Sequence, residues 1–208
     1  MKFIVRIVIS FMALLLSVAS IAQTYPNKPV RIIVPIVGST NDVLARLLAP
    51  KLSEVLGQPV LVDNKPGASG NLAYQTVARS AKDGHTLLIS YSGYHVANHI
   101  LMDKVGWEQR DLTPVGLITV ATNVIAVHPS LPVNNLKEFI AYLKANPGKV
   151  NYASQGNGSV SHIGTEIFKQ QTGTDMVHVP DKGSGQAIQD VLTGQVQVFI
   201  TTPPSVMG

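Results

Sequence analysis

Apolar and polar positions along this chain follow two periods in turn, and the alternation repeats. Residues 30–37 are a nearly continuous β-branched apolar run, the pattern of a strand buried on both faces. Leu44, Leu47, Leu48, Leu52, Val55 and Leu56 then recur at helical spacing and predict a helix over residues 42–56. Pro50 stands inside that helix and predicts a kink or a break, because it removes one intrahelical donor and its ring crowds the preceding turn. Gly57-Gln58-Pro59 stops the helix. A strand over 60–63, a helix over 71–81 and a strand over 86–90 follow.

Past Trp107 the pattern loosens, and residues 115–128 form a long apolar run suited to crossing from one domain to another. The alternation then restarts, with helices over 136–143, 159–171 and 185–192 and strands over 150–154, 176–180 and 196–201. Repeated strand-helix alternation implies parallel sheets with right-handed crossovers, hence an α/β fold in two domains. The chain ends soon after the last apolar strand, at Thr202-Pro203-Pro204-Ser205-Val206-Met207-Gly208, without a helix to cover that strand. This predicts an incomplete domain, cut short at its end.

The first residues change the picture of charge. Lys2 and Arg6 precede an apolar run over 7–18, and Ser20-Ile21-Ala22 precedes Gln23, the three-part pattern of a cleavable export signal over residues 1–22. The run is too short for a comfortable membrane span. Taking Lys2 and Arg6 from the 16 basic residues leaves 14 against 12 acidic ones, so the basic balance belongs largely to the leader. No later stretch clusters Lys and Arg, and aromatic residues are only 6%, which argues against a nucleic-acid partner. With no cysteine, neither disulfides nor thiolate metal sites are available to an exported chain.

Candidate chemistry lies in the small-residue turns between strands and helices. Pro66-Gly67-Ala68-Ser69-Gly70-Asn71 is the fullest of them, and Gly38-Ser39-Thr40-Asn41-Asp42, Gly156-Asn157-Gly158-Ser159 and Lys182-Gly183-Ser184-Gly185 occupy equivalent places. In open parallel sheets ligands bind beyond the carboxyl ends of the strands, where helix starts offer unpaired N–H donors and a partial positive charge. Several such starts suit a carboxylate, although any one is explained by turn and cap chemistry. Asp42 reads as a cap or first-turn acid rather than a base. Ser159 or Ser161 beside His162 raises a serine hydrolase as a rival, but the segment is not a G-x-S-x-G elbow and capping with ligand hydrogen bonding is favoured. His95 and His99 lack the Glu and the third ligand of a zinc site, so no metal and no cofactor are expected. Lys182 is either an anion partner or a solvated cation.

Tyr25-Pro26-Asn27-Lys28-Pro29-Val30-Arg31, Asn64-Lys65-Pro66-Gly67-Ala68-Ser69-Gly70-Asn71, Asp83-Gly84-His85-Thr86-Leu87-Leu88, Asn151-Tyr152-Ala153-Ser154 and Met176-Val177-His178-Val179-Pro180 together resemble the Bug-type extracytoplasmic receptors of tripartite tricarboxylate transporters, in order along the whole chain after the leader. The resemblance implies a two-domain periplasmic binding protein fold of type II-like architecture. Its first domain over 23–122 is incomplete, normally completed by a C-terminal return, and its second runs over 123–208. It implies a periplasmic, monomeric receptor that is not an enzyme. Such a receptor closes on a small carboxylate and delivers it to membrane permease subunits. The matching ligand positions are Gly38, Ser39 and Thr40 in the first loop, Ser69 in the second, Ser92 and His95 in the third, and Asn157, Ser159 and Ser161 in the second domain. A sensory partner of a histidine kinase and a truncated remnant without function are the alternatives.

Three departures from the family pattern stand out. The first loop is one residue short, with Gly38 alone where a pair is usual, which predicts a misshapen first anion nest. Asp181 replaces an aromatic residue and places an acid where an anion approaches, with Lys182 as the only nearby compensation. The chain is also short of the roughly 300 residues usual for such a two-domain receptor.

Overall fold

The computed structural model describes residues 25–207; the export-signal reading of residues 1–22 lies outside them. Two sheets carry the fold. The first holds β1 (Val30–Val34), β2 (Val60–Asn64) and β3 (Thr86–Leu88), parallel throughout in the order β2-β1-β3. The second holds β4 (Val124–Val127), β5 (Asn151–Ser154), β6 (Val177–Pro180) and β7 (Val198–Thr201) in the order β4-β7-β5-β6. Here β5 runs parallel to β6 and β7, while β4 pairs antiparallel with β7, so the sheets are parallel-rich, as expected. A strand arriving from the other lobe is not bound by the crossover rule that keeps β5, β6 and β7 parallel.

The helices are α1 (Thr40–Leu56), α2 (Asn71–Ala78), α3 (Ser92–Leu101), α4 (Leu136–Ala145), α5 (Val160–Thr172) and α6 (Ser184–Leu192). They cover both faces of each sheet. Ala45, Ala49, Leu52 and Leu56 of α1 pack on Val30, Ile32, Val34 and Val60, whereas Ile36, Tyr74, Tyr94 and Trp107 form a separate cluster. In the second lobe Phe139 and Leu143 of α4 meet Tyr152, Val198 and Ile200, and Ala187 of α6 meets Ala153, Val196 and Phe199.

The alternation expected from the sequence is present, with one helix not expected, α3 over Ser92–Leu101, and three further differences. Helix α1 runs through Pro50 without a break; both Pro50 and Arg46, whose carbonyl loses its partner, lie on the exposed face, where an unpaired carbonyl costs least. The same helix turns its alanines inward and leaves Leu47 67% and Val55 81% exposed, because a small-residue face lets it approach the sheet closely. The apolar run over 115–128 forms a strand only from Val124; residues 113–123 are exposed and unpaired, with Val115, Leu117 and Val120 more than four-fifths exposed at 86%, 82% and 83%. No helix among the described residues is long and apolar enough to cross a membrane.

Candidate functional site

Each sheet has a point where successive connections leave in opposite directions, and this is where α/β sheets open a crevice. In the first sheet it lies between β1 and β3, in the second between β5 and β7. The loops leaving those four strands meet one another. Thr40 Oγ1, after β1, lies 2.5 Å from Thr202 Oγ1 and 3.2 Å from Ser205 Oγ, both after β7. Tyr94, near the start of α3, donates its hydroxyl to the Gln155 carbonyl after β5 at 3.4 Å. The Tyr91 hydroxyl lies near Ser39, Thr40 and Gln155; burial pushes its pKa up, and those polar groups moderate the rise.

Two helix starts also lie close together here. A Cβ built on Gly93, in the first turn of α3, would lie 3.2 Å from Val160 Cγ2 and 3.5 Å from the Val160 N–H nitrogen, in the first turn of α5. The N-cap of α3, Tyr91, offers no side-chain cap, and its N–H goes to the Tyr74 hydroxyl at 3.0 Å. Two positive helix ends brought close together repel unless an anion or polar groups lie between them. The walls supply polar but uncharged groups: Ser39, Thr40, Asn98, Gln155, Ser159, Ser161, Ser184, Thr202 and Ser205 are all buried.

The expected site residues divide by what their polar groups already do. Gly38 N–H is spent on Asp42 Oδ2 at 2.9 Å. Ser39 Oγ donates to the Ile36 carbonyl and accepts from Asp42 N–H, a side-chain N-cap worth about 1 kcal/mol. Asp42 is thus a first-turn acid, held further by Asn64 and Arg46. Ser159 Oγ caps α5 through His162 N–H and meets Ser161 Oγ at 3.0 Å, while Ser161 Oγ accepts from Gln155 N–H. Thr40 reaches the interlobe contact directly.

Ser69 lies at the same junction: a Cβ built on Gly156 would lie 3.9 Å from Ser69 Oγ, and the Ser69 carbonyl accepts from Asn98 Nδ2 at 3.4 Å. Ala68 and Ser69 have φ of 46° and 51°, a left-handed pair of non-glycine residues whose strain is of the kind concentrated at functional sites. Asn157 and Ser92 are exposed at its edge.

His95 departs from its expected place. Its ring lies 5.4 Å from Trp107 and 6.0 Å from Tyr74, inside the first lobe's aromatic cluster, and burial lowers its pKa. A histidine four residues into α3 packs on Tyr74 and Trp107, while Tyr94, itself a member of that cluster, extends its hydroxyl to the other lobe. His99 likewise packs edge-on to Trp107 at 4.4 Å. Among the described residues no group of three or more His, Cys, Asp or Glu side chains is arranged to hold a metal ion.

Sequence reasoning passed over Tyr91, Tyr94, Gln155, Thr202 and Ser205. Their one sequence signal was position, since each follows the carboxyl end of a strand. The serine-hydrolase geometry does not form: His162 Nδ1 accepts from Gly158 N–H at 3.1 Å, and its ring bonds neither Ser159 nor Ser161. Asp181 turns to Asp190 of α6; burial first, then Asp190, pushes its pKa up to about 6. Lys182 is exposed. An apolar groove of about 490 Å³ between α3 and α5, lined by Ile100, Leu101, Ile163 and Ile167, lies beside the junction rather than in it.

Comparison with known proteins places this architecture. Residues 44–208 match the model of the tripartite tricarboxylate transporter family receptors. Protein BugT of Bordetella pertussis is 40% identical over 189 residues, covering 89% of this chain and 58% of its own length. An R. palustris protein solved with adipate superposes with a TM-score of 0.83 at 37% identity, over 87% of this chain and 61% of that one. MatC from Rhodopseudomonas palustris, with bound malate, superposes with a TM-score of 0.78 at 33% identity, over 86% of this chain and 61% of its own. The chain spans about three-fifths of the length of these relatives.

Proposed function

Since the chain belongs to the tripartite tricarboxylate transporter receptor family, whose members are solute-binding receptors and not enzymes, we propose that it captures a small carboxylate between its two lobes for a membrane transporter. The observation that carries this reading is the meeting of the α3 and α5 starts at Gly93 and Val160, within a wall of buried hydroxyls and amides. One solute carboxylate takes its place between those helix ends, received by uncommitted first-turn N–H groups and by the hydroxyls of Ser69 and Tyr91. Thr40, Ser159 and Ser161 shape the walls, and Asn157 and Ser92 rim the opening. The lobes divide near residue 122, and their closure reports loading to the transporter. Adipate and malate, bound by relatives, are the first solutes to test.

The experiment is a thermal-shift and calorimetric panel of mono-, di- and tricarboxylates on the purified protein. A ligand that binds only the folded state at 100 times its Kd adds about 2.7 kcal/mol, an easily read rise in midpoint. A rise with one carboxylate, lost in Ser69→Ala, supports the reading. No response to any carboxylate with a cooperative transition intact removes it.

A further inference from the structure

Behind the Gly156–Ser159 loop stands a stack of three rings that the solute reading does not use. His178 of β6 lies between Tyr152 of β5, at 4.8 Å and 15°, and His162 of α5, at 4.1 Å and 6°. Each imidazole holds one glycine of the loop. Gly158 N–H donates to His162 Nδ1 at 3.1 Å, which fixes the proton of the neutral ring on Nε2. His178 Nε2 lies 2.6 Å from Ser154 Oγ, and that hydroxyl accepts from Gly156 N–H at 3.1 Å. We propose that His162 and His178 are positioning residues, whose neutral rings hold the Gly156–Ser159 loop in its donor geometry and release it on protonation, so that carboxylate capture is lost in acid. This rests on the reading of that loop as part of the solute site.

A second proton on His162 Nδ1 removes the acceptor for Gly158 N–H. Where the neutral His178 ring carries its proton on Nδ1, a second proton on Nε2 commits the Ser154 hydroxyl to the Gly156 carbonyl, 3.3 Å away, and so redirects its hold on the loop. Both changes act on the loop itself. Of the surrounding charges Glu166 favours imidazolium and Lys169 opposes it. Glu166 of α5 already accepts from the Tyr152 hydroxyl at 2.6 Å and from Lys169 Nζ at 3.0 Å, and α3 presents the uncharged Ala97, Asn98, Ile100 and Leu101 to this side. Burial lowers both histidines, His178 to about 4 with the neighbouring His162 charge adding to the effect, while Glu166 opposes it.

The sign of the linkage follows. An unfolded histidine gains its proton near pH 6.5, whereas the folded pair resists it, so stability and loop geometry are complete above 6.5 and decline as pH falls toward 4. Asp181 acts oppositely in an overlapping window: its raised pKa makes the fold gain stability as pH falls through 6. The titration is therefore made in Asp181→Asn.

The experiment follows the Cε1 resonances of His162 and His178 by NMR, with the Gly156 and Gly158 amides as loop reporters. Adipate and malate binding is measured in parallel at pH 7.5 and 4.5. Both imidazoles are expected to titrate below 6.5, with the glycine amides moving at the same midpoints. The fall in probe affinity should be at least about 1.3-fold greater with both histidines present than in His162→Gln/His178→Gln, which shares the probe's own protonation, because a ring titrating at about 4 is roughly a quarter protonated at pH 4.5. Imidazoles that titrate at 6.5 or above, or glycine amides that ignore them, overturn the proposal even where probe binding is strong. Amides that follow the imidazoles while neither probe binds at pH 7.5 uphold the loop coupling and sink the receptor reading for these solutes.

Discussion

Thr40 and Thr202 stand 162 residues apart and bring their hydroxyls to 2.5 Å, both buried, with Ser205 Oγ 3.2 Å from Thr40 Oγ1 as a third member. This contact ties the start of α1 in the first lobe to the loop after β7 in the second. Thr40→Val removes it without loss of volume and leaves two buried hydroxyls short of a partner. The expected cost is about 1–2 kcal/mol by denaturant unfolding. A double-mutant cycle with Thr202→Val should return a coupling of about 0.5 kcal/mol or more; additive single effects would mean that the two hydroxyls do not interact.

Gly70 and Gly38 both have positive φ, at 75° and 67°, yet their substitutions should differ sharply. A Cβ on Gly70 would lie 2.7 Å from Tyr94 Cδ2 and Cε2 and 3.0 Å from Pro35 Cβ, while one on Gly38 meets nothing within 4 Å. Gly38→Ala should cost about 1 kcal/mol from backbone strain alone. Gly70→Ala displaces the ring that bonds Gln155 and should cost about 2–4 kcal/mol. Equal midpoint shifts for the two variants would contradict this placement of Tyr94.

Ser69→Gly separates stability from binding. Glycine relieves a left-handed conformation that serine holds at φ 51°, so stability should rise by about 0.5–1 kcal/mol. Loss of the hydroxyl should weaken carboxylate affinity about fivefold or more, as expected for one hydrogen bond to a charged group. A stabilised variant that binds as tightly as the parent would exclude the Ser69 hydroxyl from the site.

Asp181→Asn should stabilise the protein at pH 7.5. Burial and Asp190 hold the Asp181 pKa at about 6, so its ionised form is disfavoured by the fold, and solvent at the partly open surface screens the gain to about 1 kcal/mol. The advantage over the parent should shrink as pH falls through 6 toward 4, where the parent carboxyl is neutral. An advantage that is independent of pH between 4 and 8 would show that charge is not its source.

Val115, Leu117 and Val120 lie in an unpaired, exposed stretch, and apolar surface of this kind binds dyes and promotes self-association. Replacing all three with Thr, Gln and Thr should lower dye fluorescence and self-association by sedimentation. Unfolding free energy should change by less than about 0.5 kcal/mol per site. A larger loss would mean that these side chains pack in solution.

The sequence determined most of the elements of this protein. The two hydrophobic periods placed the strands and every helix except α3, and Gly57 and Gly173 ended α1 and α5 in left-handed caps. Ser39 and Ser159 capped the starts of those helices, as serine does wherever the next residues are helical. Motif order along the chain also disclosed the family. These are local properties, set by neighbours within a few positions.

Tertiary structure alone decided which donors remain free, because that depends on partners distant in sequence. Gly38 lost its N–H to Asp42, Ser161 Oγ was taken by Gln155 N–H, and His95 was drawn to Trp107, while Tyr91, Tyr94 and Thr202 were turned toward the opposite lobe. The apolar run over 115–128 shows the same limit from the other side. Its β-branched pattern satisfied the requirement for a strand throughout, but only Val124–Val127 found a ladder partner in β7, and a strand exists only where another backbone completes its hydrogen bonds.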